Sequence, residues 1–209
     1  ALAEAARRAV RLVTDSQPAV FDAETALYGD VLVHGRDNVY KRFEIRKGGN
    51  VEDALSDADL VIEGVYRTGA QEQMYIEPQG MVAWWDEAGR CHLVGSMQCP
   101  YYVHKAMKVL LGCDDGGVIV AQAVTGGGFG GKEEYPSMLA AHVALLSRKA
   151  GAPVKIIYDR SEDIAATTKR HPAVVRHRLG LRHDGTLVAA DIDVLLDGGA
   201  YLTLSPVVL

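Results

Sequence analysis

Nine residues, Thr125-Gly126-Gly127-Gly128-Phe129-Gly130-Gly131-Lys132-Glu133, constrain this chain more than any other stretch. Five glycines in one turn give up backbone entropy and supply no side-chain surface, so the string does not serve to fill a core. It offers instead a backbone that something bulky can approach closely. The apolar run at 118–124 before it reads as a buried strand, and residues 136–146 after it read as a helix. A strand, a glycine loop and a helix N-terminus in succession form a favourable place for an anion.

Several readings of the loop overlap. Gly126, Gly128 and Gly131 satisfy G-x-G-x-x-G between a strand and a helix, as a dinucleotide fold requires. The next strand ends at Asp159, where a ribose-binding carboxylate would sit, though later than the usual spacing. Gly126 to Lys132 also satisfies G-x-x-x-x-G-K, but the next residue is Glu133 where a nucleotide hydrolase needs Ser or Thr for magnesium. A carboxylate there repels phosphates and disfavours a nucleotide hydrolase. A turn needed only for tight strand–helix packing also accounts for the glycines.

The 209 residues suffice for one good core or two modest ones, and 48% hydrophobic with 23% charged residues is an ordinary globular composition. A net charge of −5 exerts no general pull on nucleic acid or an anionic membrane. The basic cluster Lys169-Arg170-His171 reads as solvated surface. Cys91, Cys99 and Cys113 form no C-x-x-C pair, which argues against zinc, an iron–sulfur cluster or a disulfide scaffold in this chain and suits a reducing, cytoplasmic setting. No transmembrane run or signal peptide is visible. The chain opens without Met in a helical pattern and closes on the apolar 204–209. Both ends are expected to be cuts within a longer polypeptide.

Residues 1–13 carry an amphipathic helical pattern, with Leu2, Ala5, Ala6, Ala9, Val10 and Val13 on one face. An extended 18–21 and a loop-rich passage to about residue 40 follow. Asn50 is placed to cap a short helix over 51–55. Strands are expected around 60–66, 81–85 and 91–97, the last two joined by a turn at 86–90. Pro100 opens a helix that Gly112 stops, and Gly151 with Pro153 ends the helix after the loop. A short buried strand at 154–158 and a helix start at 161–163 come next. Alternation of Val175, His177, Leu179 and Leu181 with Arg176, Arg178 and Arg182 predicts a sheet with one wet face. Asp184-Gly185 is its hairpin turn.

Taken whole, these strings resemble the molybdenum-binding large subunit of the xanthine dehydrogenase and aldehyde oxidase family. Glu77-Pro78-Gln79, Ser96-Met97-Gln98-Cys99-Pro100, Gly126 to Glu133, Arg160-Ser161-Glu162-Asp163, Arg170-His171-Pro172 and the Asp184-Gly185 hairpin carry the resemblance over most of 60–209. It implies an α+β, mixed α/β fold: a first molybdopterin-binding domain over 60–209, truncated at its C-terminal end, a connector over 29–59, and residues 1–28 as the tail of an α/β hammerhead domain.

The resemblance further implies a molybdenum hydroxylase that oxidises N-heterocycles of purine type, or aldehydes, by water-derived hydroxylation. Its cofactor is molybdopterin with molybdenum, carried as the cytosine dinucleotide in many bacterial members. Gly127, Gly128, Phe129 and Gly130 match the loop lying against the cofactor, and Gln98 matches the glutamine whose amide bonds an oxygen on molybdenum. Glu133 matches a substrate-contacting glutamate, although a carboxylate just before a helix also suits a capping role. His171 reads as structural. No catalytic residue and no direct metal ligand is assigned, because the general-base glutamate is expected beyond Leu209. The implied partners are the rest of the large subunit and the iron–sulfur and FAD subunits or domains, with no nucleic acid and no membrane insertion. By itself the fragment is expected to be inactive.

Overall fold

In the computed structural model the described residues are 2–208, and their strands form two separate sheets. Helix α1 (Leu2–Ala9) buries none of its residues, and its charges pair along its own surface through Glu4 with Arg7 and Arg8. It stops short of the expected residue 13, and residue 1 lies outside the described set. A one-turn helix α2 (Ala23–Ala26) is capped by Asp22, whose side chain accepts from the Thr25 amide. Asn50 caps α3 (Val51–Ser56) as expected.

The first sheet pairs β1 (Leu60–Thr68) with β6 (Ala173–Leu181), and β6 with β7 (Leu187–Leu196), all antiparallel. Asp184 and Gly185 make its hairpin turn, with Gly185 at φ +87° and the Asp184 side chain accepting from the Thr186 amide. The period-two pattern holds, but its wet and dry faces are exchanged. The arginine face is the covered one: Arg176 pairs with Glu24 of α2, and Arg178 with Glu52 of α3 and with Asp191. Leu55 of α3 packs beside Gly180 on that face. The apolar face, with Ile62, Tyr66, Ile192 and Val194, stays exposed among the described residues. Carboxylates supplied by two remote helices reverse an expectation that alternation alone supports.

The second sheet has the order β4-β3-β2-β5, built from β2 (Gly80–Trp85), β3 (Cys91–Gly95), β4 (Val118–Gln122) and β5 (Val154–Ile157). Strands β3 and β4 are parallel and the other neighbours antiparallel. Helix α4 (Pro100–Leu111) makes the β3-to-β4 crossover, with Pro100 at its start and Gly112 in the left-handed region at its end. Helix α5 (Pro136–Ala150) packs on β2 and β5 and ends at the left-handed Gly151. Alternate residues Met81, Ala83, Cys91 and Leu93 point to these two helices. They close a core with Met97, Val103, Met107, Leu139, Ala140, Val143 and Ala144.

Two expectations change. The runs at 118–124 and 154–158 are the two edges of this sheet rather than buried strands, and Val124 and Ile157 are exposed. Asp159 caps helix α6 (Arg160–Ala166) in a reciprocal capping box with Glu162, one residue earlier than the expected start. A last turn, α7 (Ser205–Val208), meets the segment leading into β6 through His171, whose Nε2 is 2.9 Å from Ser205 Oγ.

Burial of Leu93 at 0% exposure makes it the sharpest test of this core. Leu93→Ala should cost about 2–5 kcal/mol in urea denaturation. The same truncation at Leu187, 56% exposed, should stay within about 0.5 kcal/mol.

Candidate functional site

Four strand ends meet at one end of the second sheet. Strand β2 begins there, β3 and β4 run out there side by side, and β5 ends there, as the pairings Met81–Gly95, Gly95–Gln122 and Gly80–Ile157 require. The segments attached to those ends are Tyr75 to Gln79, Ser96 to Gln98, the glycine loop, and Asp159 with α6. Most of the family-like strings therefore come together at one place. Arg170-His171-Pro172 and the Asp184-Gly185 hairpin belong to the other sheet.

The loop is closed by one atom. Glu77 Oε2 accepts from the Gly126 amide at 2.6 Å, from Ser96 Oγ at 2.7 Å and from Lys132 Nζ at 3.0 Å. Lys132 Nζ also donates to Ser96 Oγ at 2.9 Å and stands 4.6 Å from the centre of the Tyr75 ring. With 0% of its surface exposed, Lys132 points into the protein, which removes it as a phosphate-binding lysine. The anion at the start of this loop is the chain's own carboxylate. Burial by itself raises the Glu77 carboxyl, but the hydrogen bonds from Ser96, Gly126 and Lys132 outweigh it and hold the group below its ordinary value.

Gln98 crosses beneath the loop. Its backbone amide donates to Lys132 O at 2.6 Å, and its Oε1 accepts from the amides of Gly130 at 3.0 Å and Lys132 at 3.1 Å. Two backbone donors on Oε1 fix which way the amide is turned. Its nitrogen then points away from them and has no hydrogen-bond partner among the described residues. The amides of Gly127, Gly128 and Phe129 are likewise without acceptors there, whereas Gly130 spends its amide on Gln98.

Three glycines of the loop are needed for close approach, and a Cβ on the first, Gly126, would lie 2.7 Å from Glu77 Cβ. A Cβ on Gly128 would lie 2.3 Å from Gln98 Oε1, and one on Gly131 would lie 2.6 Å from the Tyr75 ring. Phe129 takes φ +51°, sparsely populated for a bulky residue, and its side chain is 75% exposed.

A second network supports the loop from below. Tyr75 OH donates to Asp163 Oδ1 at 2.7 Å, and the Gln79 amide donates to Asp163 Oδ2 at 2.6 Å. Gln79 Nε2 then reaches Gly131 O at 2.8 Å. Asp163 and Gln79 are fully buried, so these contacts compete with no water. Burial, reinforced by the bond to Asp163, pushes the Tyr75 phenol well above its usual range. Arg160 Nη2 holds the carbonyls of Tyr75 and Ile76, both at 2.7 Å.

Glu133 is half-buried and accepts no hydrogen bond among the described residues. It does not cap α5, whose cap position is Tyr135 with no side-chain cap bond. Burial and then the Glu133 charge raise the Cys99 thiol. His171 lies apart, bonded to Ser205 beside a cavity of about 380 Å³ that also touches Tyr40 and Gly198. That cavity holds none of the expected site residues. Asp159, the candidate ribose carboxylate, is occupied as the α6 cap. Sequence reasoning missed Lys132, Ser96, Tyr75 and Asp163 as site-builders. Lys132 and Glu77 stand 55 positions apart, and no spacing rule links them.

Because Glu77 is held below the ordinary 4.5, its contribution to stability is present above that pH and is lost as pH falls through the folded-state value. Glu77→Gln should flatten the acid limb of a stability-versus-pH profile. Gly128→Ala should cost about 1–3 kcal/mol in denaturation, as its methyl drives Gln98 off the loop.

The described residues contain no helix long and apolar enough to cross a membrane, and no group of three or more His, Cys, Asp or Glu side chains suited to a metal ion. The family model described as the molybdopterin cofactor-binding domain matches residues 33–209. The chain is 32% identical over 209 residues to the nicotinate dehydrogenase large molybdopterin subunit of Eubacterium barkeri, covering all of this chain and 48% of that protein. It is 34% identical over 204 residues to xanthine dehydrogenase of Emericella nidulans, covering 97% of this chain and 14% of that one. The chain thus spans about half, or less, of these relatives. The aldehyde oxidoreductase of Desulfovibrio gigas superposes with a TM-score of 0.85 at 27% identity, over 93% of this chain and 22% of that one. Quinoline 2-oxidoreductase of Pseudomonas putida 86 gives 0.80 at 25% identity, over 96% of this chain and 26% of that one. With its loop, Gln98 and sheet in this arrangement, the chain belongs to the molybdopterin cofactor-binding domain family.

Proposed function

We propose that this chain is part of the molybdopterin-binding subunit of a molybdenum hydroxylase, and that the glycine loop with Gln98 forms one wall of its cofactor site. The observation that carries the reading is Gln98. Its amide oxygen is spent on the loop and its amide nitrogen is left as an unused donor beside three unused backbone amides. A surface with four spare donors and no Cβ at Gly127, Gly128 or Gly130 fits a flat, oxygen-bearing group. Gln98, Gly127, Gly128 and Phe129 would hold it, with Gly130 keeping Gln98 in place. When bound, the molybdenum cofactor supplies the oxidising centre and the activated oxygen for hydroxylation at an electrophilic carbon.

Glu133 is assigned to substrate. Its carboxylate is unclaimed and does not serve as a cap, so it is free to accept a hydrogen bond from an N-heterocycle. The names of three relatives, for nicotinate, xanthine and quinoline, are those of N-heterocycles, and a fourth names aldehydes. A purine-like or other N-heterocyclic substrate is therefore preferred over an aldehyde. No residue here takes the part of general base, which is assigned to the remainder of the subunit. The domain division at 1–28, 29–59 and 60–209 belongs to the same reading; α1, with nothing buried, suits a segment that packs elsewhere. Partners are the rest of the subunit and iron–sulfur and FAD subunits or domains, in the cytoplasm.

The dinucleotide or nucleotide module is set aside, since Lys132 is buried and Asp159 caps a helix. Purification of the full-length subunit in its complex should yield molybdenum and pterin, and bound NAD or ATP in their place would sink the proposal. In that complex Gln98→Ala should lower kcat/KM by about 10²-fold. Undiminished turnover would remove Gln98 from the site. The 209-residue chain incubated with cofactor, xanthine and a dye acceptor should show no turnover.

A further inference from the structure

We infer that Lys132 and Glu77 are a positioning pair that sets Gln98 and the glycine loop for the cofactor, and that they act by charge rather than by bulk. Lys132 offers three separate groups to the site. Its amide donates to Gln98 Oε1, its carbonyl accepts from the Gln98 amide, and its ammonium grips Glu77 and Ser96. Glu77 in turn holds the amide of Gly126, the first glycine, through the same oxygen that meets the ammonium. Both ends of the loop thus close on one carboxylate, and Gln98 is caught between them.

Bulk alone does not explain the lysine. A side chain of 0% exposure whose charged end has been stripped of water needs compensation, and an apolar residue of similar length would fill the space without it. What the ammonium adds is a fixed attraction for Oε2, which also draws the Ser96 hydroxyl and the Gly126 amide. Without it, Glu77 Oε2 and Ser96 Oγ lose the donor they share, Oε2 keeps its charge with no counter-charge beside it, and Lys132 N and O shift relative to Gln98. The Gln98 nitrogen is then no longer aimed by its oxygen's two bonds. Lys132 exposes none of its surface, which keeps its ammonium out of reach of a ligand lying on the loop, so it positions and does not catalyse.

This inference rests on the cofactor reading above for what the loop holds, but the pair itself is testable without it. In the full-length subunit within its complex, Lys132→Met, Glu77→Gln and the double variant would be compared by amide hydrogen exchange, molybdenum and pterin content, and kcat against KM. Lys132→Met leaves Glu77 without its counter-charge. Exchange across 126–133 should speed up by about tenfold or more while β2 and β3 stay protected. Cofactor content should fall, and the loaded fraction should lose kcat with KM little changed. The double variant, with no lone charge left, should recover slower exchange than Lys132→Met.

Unchanged exchange over 126–133 would overturn the inference, as would loss of protection spread evenly through the sheet. Should Lys132→Met fail to fold, Glu77→Gln and the double variant carry the same comparison. A loosened loop with full molybdenum content also counts against positioning toward the cofactor. Gln98→Ala then separates the causes. If it too leaves molybdenum and turnover intact, the cofactor reading is at fault; if it impairs them, the pair is.

Discussion

A single carboxylate oxygen holds the working end of this molecule together. Glu77 Oε2 gathers a backbone amide and an ammonium from the two ends of the glycine loop and a hydroxyl from the connection after β3. Three donors on one oxygen are tolerable because the receiver is charged and the nearby lysine balances it. Everything else at the site is arranged around that point. Gln98 is pinned by the residue whose ammonium meets it, and Tyr75 lies under that ammonium. The Asp163 network keeps Tyr75 and Gln79 from moving. The sheet supplies the frame, because two parallel strand ends and their antiparallel neighbours bring these connections within bonding distance.

That arrangement also explains why five glycines are tolerated in one turn. Backbone freedom is a liability in a loop of this length, and it is offset here by bonds from side chains outside the loop together with the Lys132 ammonium at its end. Gly126, Gly130, Gly131 and Lys132 are each tied by a backbone group to Glu77, Gln98 or Gln79. What remains unspent is the short stretch Gly127 to Phe129. The loop is rigid at its feet and bare at its crest, which suits a surface meant to meet a ligand.

Local chemistry is legible in the amino-acid sequence. Pro100 and Gly112, Asn50, Gly151 and the Asp184-Gly185 turn all behave as their residue types dictate, because each depends on a few neighbouring dihedrals. The glycine string points to the site, and the longer strings point to the family. Features decided at long range are not legible in the same way. Alternation in β6 marks two faces and points to the arginine face as the wet one, but which face is covered is decided elsewhere. Glu24 and Glu52, far away in sequence, settle that by pairing with the arginines. Asp159 has the right residue type for a ribose carboxylate and is occupied by its own helix. Lys132 has the right type for a phosphate ligand, and only the fold reveals its partner.

The exchanged faces of the three-stranded sheet carry a practical consequence. A sheet whose arginines are neutralised from one side and whose isoleucine, valine and tyrosine side chains stand open on the other has traded charge repulsion for adhesion. Such a face is a surface to which apolar groups adhere, and the outer edges of β1 and β7, which pair with no other strand among the described residues, leave backbone groups open as well. Acidic charge added on that face would make it less adhesive without touching the arginine pairs on the other side.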